Sequence, residues 1–206
     1  MGRFRIYAQN GIQDGILEHI KSENYITSTS VTLCNSRHVF WEIMFGGFNL
    51  NLKYRNRDTI PTSMDRVLVV KIEEAKRCLE QFMKVSPNPF VQPFISQTEF
   101  ELLVERFINH ISNRLDKNYI IYNISEVLHT YDVATLEPEL INAIRFTKEF
   151  YRKILIGQPY NYQESLYALS GSPFKVNLQK FSQIQCLIES PTLEEYYVLL
   201  SGVDDM

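Results

Sequence analysis

The sequence predicts an α+β front segment followed by an all-α back segment, and three observations carry that expectation. Residues 65–72 form a β-branched strand pattern that runs directly into 73–83, where Ala75, Cys78, Leu79, Phe82 and Met83 fall on one helical stripe. Further strand patterns precede this unit. Behind residue 97 the apolar spacing becomes predominantly helical.

In chain order, Phe4, Ile6 and Ala8 alternate with Arg5 and Tyr7 as a short strand, which Asn10-Gly11 ends. A helix is expected next, because Ile12, Ile16, Leu17 and Ile20 share one face and Gln13, Asp14, Glu18 and Lys21 the other. Residues 25–33 are rich in Thr, Ser, Ile and Val, which favours strand. Residues 38–45 and 48–55 alternate on either side of Gly46-Gly47, the pattern of a β-hairpin. In that register Val39, Trp41, Ile43 and Phe45 face Tyr54, Leu52, Leu50 and Phe48 on the apolar side. Phe40 then lies on the polar side with Asn49, Asn51, Lys53 and Arg55, and Arg57 follows just beyond. Two helices bordering a mostly antiparallel sheet make a ferredoxin-like sandwich the expected front architecture.

The first strand with Tyr7-Ala8-Gln9-Asn10, the helix at 12–21, the re-entry at Asn24-Tyr25-Ile26, and Arg66-Val67-Leu68-Val69-Val70 followed by Glu74-Ala75-Lys76-Arg77-Cys78-Leu79 resemble a small prokaryotic signal-transducing domain. The resemblance covers about the first 85 residues. It implies a fold similar to that of the PII nitrogen regulators and a role in signalling. The long aromatic hairpin departs from the family's shorter form, and the resemblance assigns no binding residue.

Pro87, Pro89 and Pro93 stiffen the chain where strand patterns give way to helical ones. The expected organisation is therefore an α+β domain at 1–86, a proline-rich linker at 87–96 and a helical domain at 97–206. In the last, Thr98-x-x-Glu101 offers a capping box ahead of a stripe of Phe100, Leu103, Val104, Phe107, Ile111 and Leu115. Residues 118–122 fit a strand or a helix start equally. Pro138 opens a helix expected to reach Ile156, with Leu140, Ile144, Tyr151, Ile154 and Leu155 on its buried side, before Gly157 and Pro159 stop it. Shorter helices are expected at 163–169 and after Asn177. Thr192-x-x-Glu195 caps a last one ending at Ser201.

The chain's 206 residues, 45% hydrophobic and 13% aromatic, suffice for one large or two small cores. The net charge of -3 divides unevenly, with 12 Lys/Arg against 9 Asp/Glu in residues 1–86 and 9 against 15 in the rest. Cys34, Cys78 and Cys186 form no Cys-x-x-Cys pair, so neither a structural zinc nor a disulfide framework is expected. The start of the chain lacks a signal peptide's apolar segment, and no uncharged run approaches the ~20 residues that span a bilayer. These features suggest a cytoplasmic protein without membrane contact.

No catalytic or cofactor-binding signature emerges. His19, His38, His110 and His129 share no convergent spacing, and Gly46-Gly47 opens no phosphate loop. Arg106 and His110 lie four apart, closer than the Arg-x₄₋₆-His spacing of HEPN ribonucleases and at the separation of an ordinary helix-surface pair. The expected class is a non-enzymatic regulatory or adaptor protein that binds a protein partner through Phe40, Asn49, Asn51, Lys53, Arg55 and Arg57. A small ligand, where one is bound, is expected at the front domain. One alternative is a dedicated inhibitor, such as an immunity or anti-defence factor, using the acidic back half. The other is a nucleic-acid binder using the basic edge at 53–57.

Overall fold

The computed structural model describes residues 4–9, 30–33, 38–46, 67–91, 94–115, 118–123, 146, 149–162, 164–165, 168 and 191–203. The expected helices at 12–21 and after 177, the second hairpin strand and the first part of the helix expected from 138 fall outside these residues.

Strands β1 (Phe4–Gln9), β2 (Ser30–Leu33), β3 (Val67–Lys71) and β4 (Tyr119–Asn123) form one antiparallel sheet in the order β2-β1-β4-β3. β4 resolves the open choice at 118–122 in favour of strand. Its Ile120 lies opposite Ala8 on one side and Val70 on the other. Residues directly opposite in antiparallel strands share a face, so this row joins the sheet to the core, where Ile6, Ala8 and Ile120 are buried. The chain is thus α+β, as expected. The strand connections nevertheless depart from a ferredoxin-like split βαβ, in which another strand separates the two that a helix connects. Here β2 pairs directly with β1, and β4 enters the sheet from beyond residue 97.

Helix α1 spans Val39–Gly46, and Ile72–Met83 form α2, into which β3 runs without a loop. The expected stripe holds: Ala75, Leu79 and Phe82 are buried, while Cys78 and Met83 are half-buried against the same core.

α1 corrects the expected hairpin, because its residues form a helix rather than a strand. Apart from Glu42, the segment 39–45 is apolar on every side, and such a run fits a buried helix as well as a strand. Tertiary packing decides the matter. Val39, Phe40, Trp41, Ile43 and Met44 are all buried, on α1 faces that a one-sided strand would have left in water. Trp41 is core, as the alternation required, but by a different geometry.

Part of the expected linker packs into the core. Asn88 is buried, donates from Nδ2 to the Phe82 carbonyl at 3.0 Å and accepts from the Phe90 N–H at 3.0 Å. Phe90 is fully buried against Phe82, Phe150 and Tyr151. These contacts make 88–91 a wall of the core, and a division at 87–96 would cut a sheet and a core that use residues from both sides.

α3 (Gln97–Arg114) carries the expected stripe, with Phe100, Leu103, Val104, Phe107, Ile111 and Leu115 all buried. Its capping box is built two residues earlier than Thr98-x-x-Glu101: Ser96 Oγ accepts from the Glu99 N–H, and the Glu99 carboxylate accepts from the Ser96 N–H. Residues 149–155 are helical, Tyr151 and Ile154 are buried, and Gly157 ends the segment at a φ of 70°. α4 (Leu193–Ser201) starts at the expected Thr192/Glu195 box and ends at Gly202 in the left-handed region.

Candidate partner-binding surface

Of the residues expected to bind a partner, the structure describes Phe40 alone. Phe40 is fully buried, with ring centroids 5.0 Å from Phe107 and 6.2 Å from Phe100, so it belongs to the core and offers a partner nothing. Asn49, Asn51, Lys53, Arg55 and Arg57 lie outside the described residues.

The described histidine of the front half is likewise structural. His38 immediately precedes α1, and its Nδ1 lies 3.0 Å from the Leu199 carbonyl. A carbonyl can only accept, so Nδ1 carries the proton, leaving Nε2 a buried acceptor without a hydrogen-bond partner. Burial lowers the pKa of this ring from 6.5 to about 4, against the opposing pull of the Leu199 carbonyl. Nearby, Trp41 Nε1 donates to the Ser201 carbonyl at 2.7 Å and its ring meets Phe107 edge-on. Gly202 packs on the His38 ring so closely that an added Cβ would collide with it. The site fastens α4 to α1.

The carboxylates of the two capping boxes are also engaged. Glu99 is held below the usual carboxylate range first by the Ser96 N–H and then by the Ser96 hydroxyl. Thr192 does the same for Glu195. Among the described residues, no three His, Cys, Asp or Glu side chains gather as a metal site would require. No described helix is long and apolar enough to cross a membrane.

A different surface emerges where α3 meets the first turn of α4. Arg106 donates to both carboxylate oxygens of Glu194, at 2.6 and 2.9 Å, and its guanidinium lies 3.9 Å from the centre of the Tyr197 ring. The fork and the ring fix the planar group from two directions. At this exposure the pair contributes about 1 kcal/mol or less to stability, so its main effect is to hold the two helix surfaces in register.

Leucines flank that bridge. Leu102, one turn before Arg106 on α3, is 54% exposed, and Leu193, adjacent to Glu194, is 38% exposed. Leu102 points away from the buried stripe of its helix. Leu193 continues the stripe of Tyr196, Tyr197 and Leu200, but at the rim where that stripe leaves the core. Glu105 is exposed nearby, and Glu101 accepts from Gln97 Nε2 at 2.9 Å. The sequence carried a sign of this surface in Leu102, an apolar residue opposite an otherwise complete stripe, but no local pattern singled out Leu193.

No protein-family model, curated protein or solved structure matches the chain.

Proposed function

We propose that this chain is a non-enzymatic regulatory or adaptor protein that acts by binding a protein partner. The observation that carries the proposal is the pair of exposed leucines beside the fixed Arg106–Glu194 bridge. Isolated surface leucines are commonplace. Two of them flanking a bridge already held in one geometry offer apolar area with little ordering left to do on binding. The resemblance of the first 85 residues to a prokaryotic signal-transducing domain adds a sensing role for the front segment. A dedicated inhibitor is the second reading, favoured by the acidic excess behind residue 86, 15 carboxylates against 9 cations.

Affinity capture on the full-length chain, followed by mass spectrometry, should recover a partner that binds saturably when purified. Gel-shift titrations with single- and double-stranded DNA and RNA should show no useful affinity at physiological salt. Failure to recover any partner, together with tight nucleic-acid binding that disappears in Lys53→Ala/Arg55→Ala/Arg57→Ala, would replace this function with the nucleic-acid alternative.

A further inference from the structure

Independently of any partner, we propose that the end of α4 is an acid-released latch, in which protonation of His38 frees residues 199–203 from α1 while the start of α4 stays docked. Three contacts close it. His38 Nδ1 donates to the Leu199 carbonyl, Trp41 Nε1 donates to the Ser201 carbonyl, and Gly202 lies against the Cδ2–Nε2 edge of the imidazole. Because Nδ1 already carries a proton, acid can place a second one only on Nε2. That nitrogen is buried, has no hydrogen-bond partner among the described residues, and has the Gly202 backbone packed beside it. An imidazolium in the closed arrangement is thus a buried cation with an unmet donor, which is far costlier than the same cation in water. Moving Gly202 and the last turn of α4 aside gives the new N–H access to solvent.

The start of α4 is held without His38. Arg106 grips Glu194, and the Tyr196 hydroxyl donates to the Phe90 carbonyl at 2.8 Å. Release is therefore expected at the C-terminal turn, where the burial of Leu200 and Val203 and the Trp41 bond keep the latch shut at neutral pH. The charges on the neighbouring elements are few. Glu42, the charged residue of α1, lies one turn beyond His38, and a carboxylate there favours the cation. α4 carries Glu194 and Glu195, engaged by Arg106 and Thr192, and no charge from Tyr196 to Val203. α3 adds Arg106 and half-buried His110, while Glu73, Glu74, Arg77 and Glu80 of α2 are exposed. Burial outweighs the pull of the Leu199 carbonyl and holds the closed ring at about 4 against 6.5 in water. A fall from above pH 6.5 to below pH 4 should therefore raise the ratio of open to closed latch by up to about 300-fold.

The test uses the full-length chain and its one tryptophan, Trp41, which lies beneath the latch. Acrylamide quenching of Trp41 should increase as pH falls from 7 towards 4, with the far-UV circular dichroism largely kept. His38→Asn should flatten that increase, and Glu42→Gln should retain it. Amide exchange on the parent chain locates the opening without any variant. The Gly202 and Val203 N–H groups, bonded to the Val198 carbonyl and Ser201 Oγ, should lose about tenfold or more of their protection after correction for the intrinsic pH dependence. The Tyr196 N–H, bonded to the Thr192 carbonyl, should keep its protection. Unchanged protection at 202 and 203, an equal loss at Tyr196, a quenching profile that His38→Asn leaves intact, or one that Glu42→Gln abolishes overturns the proposal.

Discussion

His38 couples the chain's stability to acid. Its pKa is about 4 when folded and 6.5 when exposed, so the unfolded chain takes up the proton first as pH falls. The stabilisation from keeping this ring neutral is complete above pH 6.5 and declines as pH drops from 6.5 towards 4. The total is on the order of 3 kcal/mol. Melting temperature should therefore fall across that interval. His38→Asn, whose amide can donate to the Leu199 carbonyl without titrating, should show a smaller fall. Glu99 and Glu195 also lose stabilisation as acid protonates them, since their folded pKa values are lowered, so the diagnostic quantity is the difference between variant and parent. Parallel pH profiles for the two proteins would remove His38 from this role. Nothing local in the sequence revealed it, because the acceptor on Leu199 lies 161 positions away.

Helix ends show which local signals can be trusted. The Thr192/Glu195 box and the stop at Gly157 were legible because each joins residues a few positions apart. The stripes of α2 and α3 were legible because only a helix brings those residues to one face. α1 was not: with Phe40, Ile43 and Met44 all apolar, a period of two and a period of 3.6 fit the same letters, and only distant packing chose between them. Phe40 left the expected site with that choice, since it had been placed on an open strand face. The two glycine stops now separate backbone strain from crowding. Gly157 has a φ of 70° and open space around its Cα, so Gly157→Ala should cost about 1 kcal/mol from the left-handed backbone alone. Gly202 has a φ of 68° and the His38 ring against it, so Gly202→Ala should cost about 3 kcal/mol or more. Equal losses in denaturant titrations would show that the His38 contact does not constrain this helix end.

The whole molecule is tied together by β4 and by 88–91. Neither role was visible from composition: three prolines suggest a spacer until Phe90 is seen filling the core, and a five-residue strand between helical patterns does not announce its neighbours. Residues 1–86 alone should not melt cooperatively, because they lack the strand joining β1 to β3. Circular dichroism and calorimetry on that fragment test this, and a cooperative transition would restore an independent front domain. The same strand order bears on synthesis. A growing chain makes β1 and β3 well before residue 119, and each must wait with one edge lacking its β4 partner. Unpaired edges invite other strands, so this stretch of translation is when the nascent chain is most exposed to aggregation and has most need of a chaperone.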